Sequence, residues 1–256
     1  MLSIDQKKQY KKSTASEKEV KHFASLSSDW WDENGSFSSL HQINPIRLKY
    51  LKEQICEYFQ LDGTNMHPLK GLSILDVGCG GGLLCEALFD HNGNVSGIDA
   101  AGPGIEIAKQ HANENNKEVF YRATTAEELI DSESEKYDVV TCLEVIEHVP
   151  DPQSLVTACS KLLKPGGSLF LSTINRNPRS WITAIVGAEY IFNILPKGTH
   201  EFAKFIKPSE LAGYMRNAEI NLSETKGMFY NPITHKASLN NDLGVNYLMY
   251  GKKPSN

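Results

Sequence analysis

The chain has 256 residues, enough for one large α/β domain that buries roughly 70–75% of its unfolded surface, so a second full domain is not required. Charged residues make up 22% and the formal net charge is -5, which suits a soluble protein and excludes a general nucleic-acid binder, since neutralising phosphates takes a basic surface. Five cysteines with no CxxC pair read as reduced thiols, and the first twenty residues lack both the apolar core of a secretory signal and the arginines of a transit peptide. Both features point to the cytoplasm.

In chain order, Asp5 to Lys21 is polar and Lys-rich, so residues 1–20 are expected to be a flexible tail or a loose helix ahead of a single domain, 21–256. Phe23, Leu26 and Trp30 recur at helical spacing. Asn44-Pro45 marks a turn, with Pro45 at the first position of a helix running to about Phe59, so residues from about 21 to 60 form a helical cap. Strands and helices then alternate. LSILDVG (Leu72–Gly78), NVSGID (Asn94–Asp99), EVFYRA (Glu118–Ala123), YDVVTCL (Tyr137–Leu143) and GSLFLSTI (Gly167–Ile174) are the strands, and Lys164–Gly167 is a turn that ends the helix before the fifth. Repeated βα units of this length give a parallel sheet with helices on both faces. INLSETKGMFY and VNYLMYGKK add two strands at one edge, making seven.

Asp76-Val77-Gly78-Cys79-Gly80-Gly81-Gly82 stands where the first strand turns into a helix. Glycines there let backbone approach a ligand. The dinucleotide fingerprint GxGxxG needs a glycine at position 83, which is Leu83, so a nicotinamide-dependent oxidoreductase is disfavoured. The pattern D-x-G-x-G-x-G resembles the first motif of class I methyltransferases, whose cofactor lies over the loop. Asp99 ends the second strand, where an acid can bind both hydroxyls of an adenosine ribose.

Leu143-Glu144-Val145-Ile146-Glu147-His148 follows the fourth strand directly. If it makes one helical turn, Glu144, Glu147 and His148 share a face and could bind a divalent ion, Mg²⁺ or another. Alternatively His148 is a plain general base.

WWD (Trp30–Asp32), LHQINPIRL (Leu40–Leu48), NRNPRSW (Asn175–Trp181), GAEYI (Gly187–Ile191), PKGTHEFAKFIKPSEL (Pro196–Leu211) and NPITH (Asn231–His235) together closely resemble the ubiquinone-biosynthesis O-methyltransferases, from about His22 to Tyr250. The resemblance implies a class I methyltransferase Rossmann-like fold and a mostly parallel seven-stranded sheet. It also implies methyl transfer from S-adenosylmethionine to a catechol-type hydroxyl of polyprenylated ubiquinone precursors. Carried over by motif, Arg47, Gly78, Asp99 and Leu143 match the family's cofactor contacts, Arg47 meeting the donor's carboxylate. Leu143 stands where methionine is common, and an apolar wall against adenine survives that change. Glu144, Glu147 and His148 resemble the family's divalent-metal site, and a Lewis acid there would lower the pKa of a bound catechol oxygen.

Trp181 to Pro196 is mostly apolar but shorter than the ~20 residues that span a bilayer, and Arg176, Arg179, Lys197, Lys204 and Lys207 flank it. It lies in an insertion, about 175–207, expected to act as an active-site lid and as a segment dipping into an anionic leaflet, which would place the enzyme peripherally on the inner face of the membrane. His200 reads as lid structure, and Glu133–Lys136 as a solvated loop. Other enzymes of ubiquinone synthesis are candidate partners. The alternatives are a non-catalytic membrane-associated scaffold and a methyltransferase for another small catechol.

Overall fold

A computed structural model describes residues 15–26, 29–182, 202–231 and 234–255. Among them, eight strands form one sheet: β1 (Ser73–Val77), β2 (Asn94–Asp99), β3 (Phe120–Ala123), β4 (Tyr137–Leu143), β5 (Leu163–Ile174), β6 (Asn221–Asn231), β7 (Lys236–Asn240) and β8 (Asn246–Lys252). Their order is β3-β2-β1-β4-β5-β8-β6-β7. The first five run parallel, and β8 inserts antiparallel between β5 and β6.

Successive residues of β1 feed opposite faces. Ile74 belongs to the core cluster that holds Leu51, Ile55 and Leu88, whereas Leu75 belongs to the one that holds Leu129, Leu155 and Met215. Helices cover both faces, so the central strands are apolar throughout rather than alternating. The chain passes from β1 to β2 on one side and pairs with β4 on the other. Their carboxyl ends therefore open at a topological switch point, where ligands of such sheets bind.

Several expectations are corrected. β7 is an eighth strand; its five residues alternate between exposed and half-buried, which gives little apolar signal. Asn44-Pro45 is not a turn, because one helix spans Ser38–Tyr58 with Pro45 inside it. Proline in a helix interior costs about 3 kcal/mol, but this helix buries Tyr50, Leu51 and Ile55, each contributing about 1.5–3 kcal/mol. Asn44 also anchors it, donating Nδ2 to the Leu83 carbonyl at 3.3 Å. Packing wins.

At the N-terminal end a helix occupies Glu17–Leu26, so residues 17–20 take the helical one of the two expected forms, and Trp30 lies beyond its end. The side chains of Phe23 and Leu26 fall outside the described residues.

After β3, Thr125-Ala126-Glu127 opens a helix, Ala126–Glu133, fixed by a capping box between Thr125 and Glu128. That T-x-x-E signature was available in the sequence. Glu133 is not solvated: it pairs with Arg122 at 3.1 Å and Lys136 at 3.2 Å and accepts the Tyr137 hydroxyl. Lys164–Gly167 lies within β5, whose register against β4 shifts between Tyr137 and Val139.

Candidate active site

Beyond β1 the backbone turns sharply against β2. The N–H groups of Gly78 and Cys79 both donate to the Ile98 carbonyl, at 2.8 and 3.0 Å. Gly78 and Gly80 take φ of 74° and 52°, the left-handed region that glycine enters freely. A Cβ on Gly78 would overlap Val145, from the turn after β4, so glycine here lets the two loops touch.

Asp99 completes this corner. Its Oδ2 accepts the Gly80 N–H at 3.0 Å and its Oδ1 accepts the Ala101 N–H at 2.7 Å. Burial pushes this carboxyl up from its ordinary value, and the two backbone donors oppose that. Asp76 lies beneath the loop. Its Oδ1 accepts the Thr141 hydroxyl at 2.6 Å, and burial pushes it up to about 6 against that bond and the Arg47 charge.

The turn after β4 is built from Glu144, in the left-handed region at φ 58°, and a short 3-10 turn, Ile146–His148. The three candidate side chains therefore do not share one helical face. Glu144 accepts the Ser172 hydroxyl at 2.7 Å, pairs with Arg47 at 3.0 Å, and accepts Asn246 Nδ2 at 3.2 Å. Glu147 is 3% exposed. One of its oxygens accepts the Thr173 hydroxyl at 2.8 Å, and the other is buried without a partner. Burial and the neighbouring Glu144 charge raise its pKa.

His148 Nδ1 lies 3.2 Å from Glu19 Oε2, and Glu19 also accepts Lys204 Nζ at 2.8 Å. Burial works against a charged ring. The Glu19 hydrogen bond, with the charges of Glu147 and Glu19, outweighs it and raises the His148 pKa. Glu19 falls to about 2, chiefly through its bond to His148. Among the described residues, no group of three or more His, Cys, Asp or Glu side chains converges as a metal-binding set.

The loop also carries a cover from the N-terminal segment. Gly80 and Gly81 lie against the Trp30 ring so closely that a Cβ on either would overlap it. Trp31 donates Nε1 to the Gly81 carbonyl at 3.0 Å and stacks on His111 with centroids 3.4 Å apart. His111 Nδ1 in turn lies 2.7 Å from the buried Glu86.

Of the expected cofactor residues, Gly78 and Asp99 lie in one corner, and Leu143 sits half-buried at the end of β4. Arg47 reaches the same edge from the long N-terminal helix, but its guanidinium faces Glu144 and its Nε is buried without a partner. Glu19 and Asn246 lie far from the motifs in sequence, and no spacing signals them or Glu86 and His111. Asp76 could have been picked out as the acid opening the glycine motif. Of the apolar insertion only Trp181 and Ile182 are described, 46% and 55% exposed; the rest, with Lys197 and His200, falls outside the described residues. Three of its flanking cations are paired: Arg176 with Glu210, Arg179 with Asp242 and Lys204 with Glu19. Among the described residues no helix is long and apolar enough to cross a membrane.

Comparison with known proteins fixes the family. The methyltransferase domain family matches residues 47–224. A ubiquinone biosynthesis O-methyltransferase from Hahella chejuensis is 48% identical over 236 residues, covering 92% of this chain and 94% of that one. One of the same name from Marinobacter nauticus is 50% identical over 91% and 94%. In fold, the chain is similar to the magnesium protoporphyrin IX methyltransferase of Synechocystis solved with bound S-adenosylhomocysteine, at TM-score 0.60, 16% identity and 92% and 93% coverage. A methyltransferase from Methanosarcina mazei matches at TM-score 0.57 and 20% identity, over 74% of this chain and 96% of that one. The chain belongs to the methyltransferase-domain family and, within it, to the ubiquinone biosynthesis O-methyltransferases, enzymes that depend on S-adenosylmethionine.

Proposed function

We propose that this enzyme methylates a catechol-type hydroxyl of polyprenylated ubiquinone precursors, with Gly78, Asp99, Leu143 and Arg47 holding the methyl donor and His148 acting as the base. One observation carries the reading. The Asp99-anchored glycine loop and the turn bearing His148 meet at one carboxyl edge of the sheet, touching through Gly78 and Val145.

Bound there, S-adenosylmethionine supplies an electrophilic methyl group on a positively charged sulfur. The glycine loop and Asp99 orient it, and Leu143 gives adenine an apolar wall. His148 in its neutral form takes the phenolic proton as the oxygen attacks, and Glu19 stabilises the imidazolium that results. Holding the reactants in line accounts for most of the acceleration.

A second reading places a divalent ion at Glu144, Glu147 and His148. The buried, partnerless oxygen of Glu147 favours it, since a cation would satisfy that atom. As placed, however, the donors do not fit one ion: Glu144 is held by Arg47 and Asn246, and His148 by Glu19.

Transfer of labelled methyl to a short-chain prenylated catechol tests both readings. Turnover that survives EDTA supports His148 as the base. Turnover lost to EDTA and restored by Mg²⁺ or another divalent ion supports the metal. No transfer to the catechol at all overturns the substrate assignment.

The apolar stretch beginning at exposed Trp181 and Ile182 supports a further part of this reading, peripheral binding to anionic lipid. Flotation with phosphatidylglycerol vesicles should recover the wild type and lose the double variant Ile185→Asp, Phe192→Asp. Equal recovery of both would remove the membrane assignment.

A further inference from the structure

The Trp30 ring rests on the backbone of Gly80 and Gly81, an approach possible only because neither carries a Cβ. Neighbours fix its position. Its carbonyl meets His41 Nε2 at 2.9 Å, and its ring packs on Phe37 with centroids 3.9 Å apart. The next residue, Trp31, is clamped between the Gly81 carbonyl and His111, itself held by Glu86.

At this contact one atom is unexplained: Trp30 Nε1 is buried and has no hydrogen-bond partner. An indole N–H can only donate, and leaving a buried donor unpaired is costly. Arg47 Nε, on the helix that also carries His41, is a second buried donor without a partner. Two idle donors on the N-terminal cover mean that what is missing is an acceptor.

We propose that Trp30 is a cofactor-binding residue, its indole N–H donating to the carboxylate of the amino-acid half of S-adenosylmethionine, with the Trp31–His111–Glu86 chain holding it in place. This rests on the reading that the glycine loop holds that cofactor. The chemistry selects the carboxylate because it is the only anionic group on the molecule. The ribose hydroxyls need an acceptor of their own, which Asp99 provides. Trp30 thus serves the amino-acid end and Asp99 the nucleoside end.

Two ligands separate these ends: S-adenosylhomocysteine, which has the carboxylate, and 5′-methylthioadenosine, which lacks it. In calorimetric titrations Trp30→Phe should weaken S-adenosylhomocysteine binding about tenfold, the scale of one hydrogen bond to a charged group. Methylthioadenosine binding should change less than about twofold on the same argument. Asp99→Ala should weaken both ligands. Should Trp30→Phe fail to fold, β-(3-benzothienyl)alanine at position 30 keeps the ring's shape and removes only the N–H. Unchanged or tighter S-adenosylhomocysteine binding in the Trp30 variants would overturn the proposal, as would an equal loss of both ligands. A wild type that binds neither ligand would overturn the loop assignment itself, and this one with it.

Discussion

Asp99→Ala should weaken S-adenosylhomocysteine binding by at least about 100-fold, measured by titration calorimetry. The carboxylate holds two backbone N–H groups, on Gly80 and Ala101. Hydrogen bonds to a charged group contribute about 1.5–3 kcal/mol each, and every 1.4 kcal/mol is tenfold in affinity. Losing both loosens the Gly80 part of the loop, while Gly78 and Cys79 still bond the Ile98 carbonyl of β2, and it removes the acceptor for the ribose. Asp99→Asn keeps one acceptor oxygen and should fall between the two. A tenfold loss or less in Asp99→Ala would mean that this corner is merely structural.

His148→Ala should lower kcat by roughly 10²–10⁴-fold, the range for a general base, and leave donor affinity within about threefold. The imidazole stands on the turn after β4, and it pairs with Glu19 from the N-terminal helix. A variant that loses kcat while still binding S-adenosylhomocysteine identifies a chemical role. Equal losses in both would place His148 among the groups that build the cofactor site. Unchanged turnover would rule out both base and ligand.

Much of the sheet was legible because its strands are apolar runs punctuated by glycine and by acids. β2 and β4 begin and end where the residue pattern sets them, and Asp99 falls at a strand end in the crevice. β7 was not legible, since KASLN at a sheet edge buries too little to leave a pattern. Pro45 misled for the opposite reason. Its local preference for a helix start is real, but the burial of Tyr50, Leu51 and Ile55 of the long helix in the core overrides it.

The site was read in part. Motifs show which residues leave the strand ends, as Gly78, Asp99 and His148 do, whereas the role of Leu143 is what the family resemblance implies. They do not show where a long side chain turns. Arg47 and Glu144 were each assigned a ligand, yet in the fold they pair with each other. Left-handed backbone at Glu144 splits the acidic turn, so Glu144 and His148 diverge although their spacing fits one helical face. Glu19 reaches His148 from the far end of the chain, a contact no local pattern encodes.

The most direct test titrates the wild-type enzyme with S-adenosylhomocysteine and, separately, with NADH. Saturable one-to-one binding of the first and none of the second is what a glycine loop ending in Leu83 with Asp99 at its flank requires. Binding of NADH without S-adenosylhomocysteine would contradict the assignment of this crevice to a methyl donor.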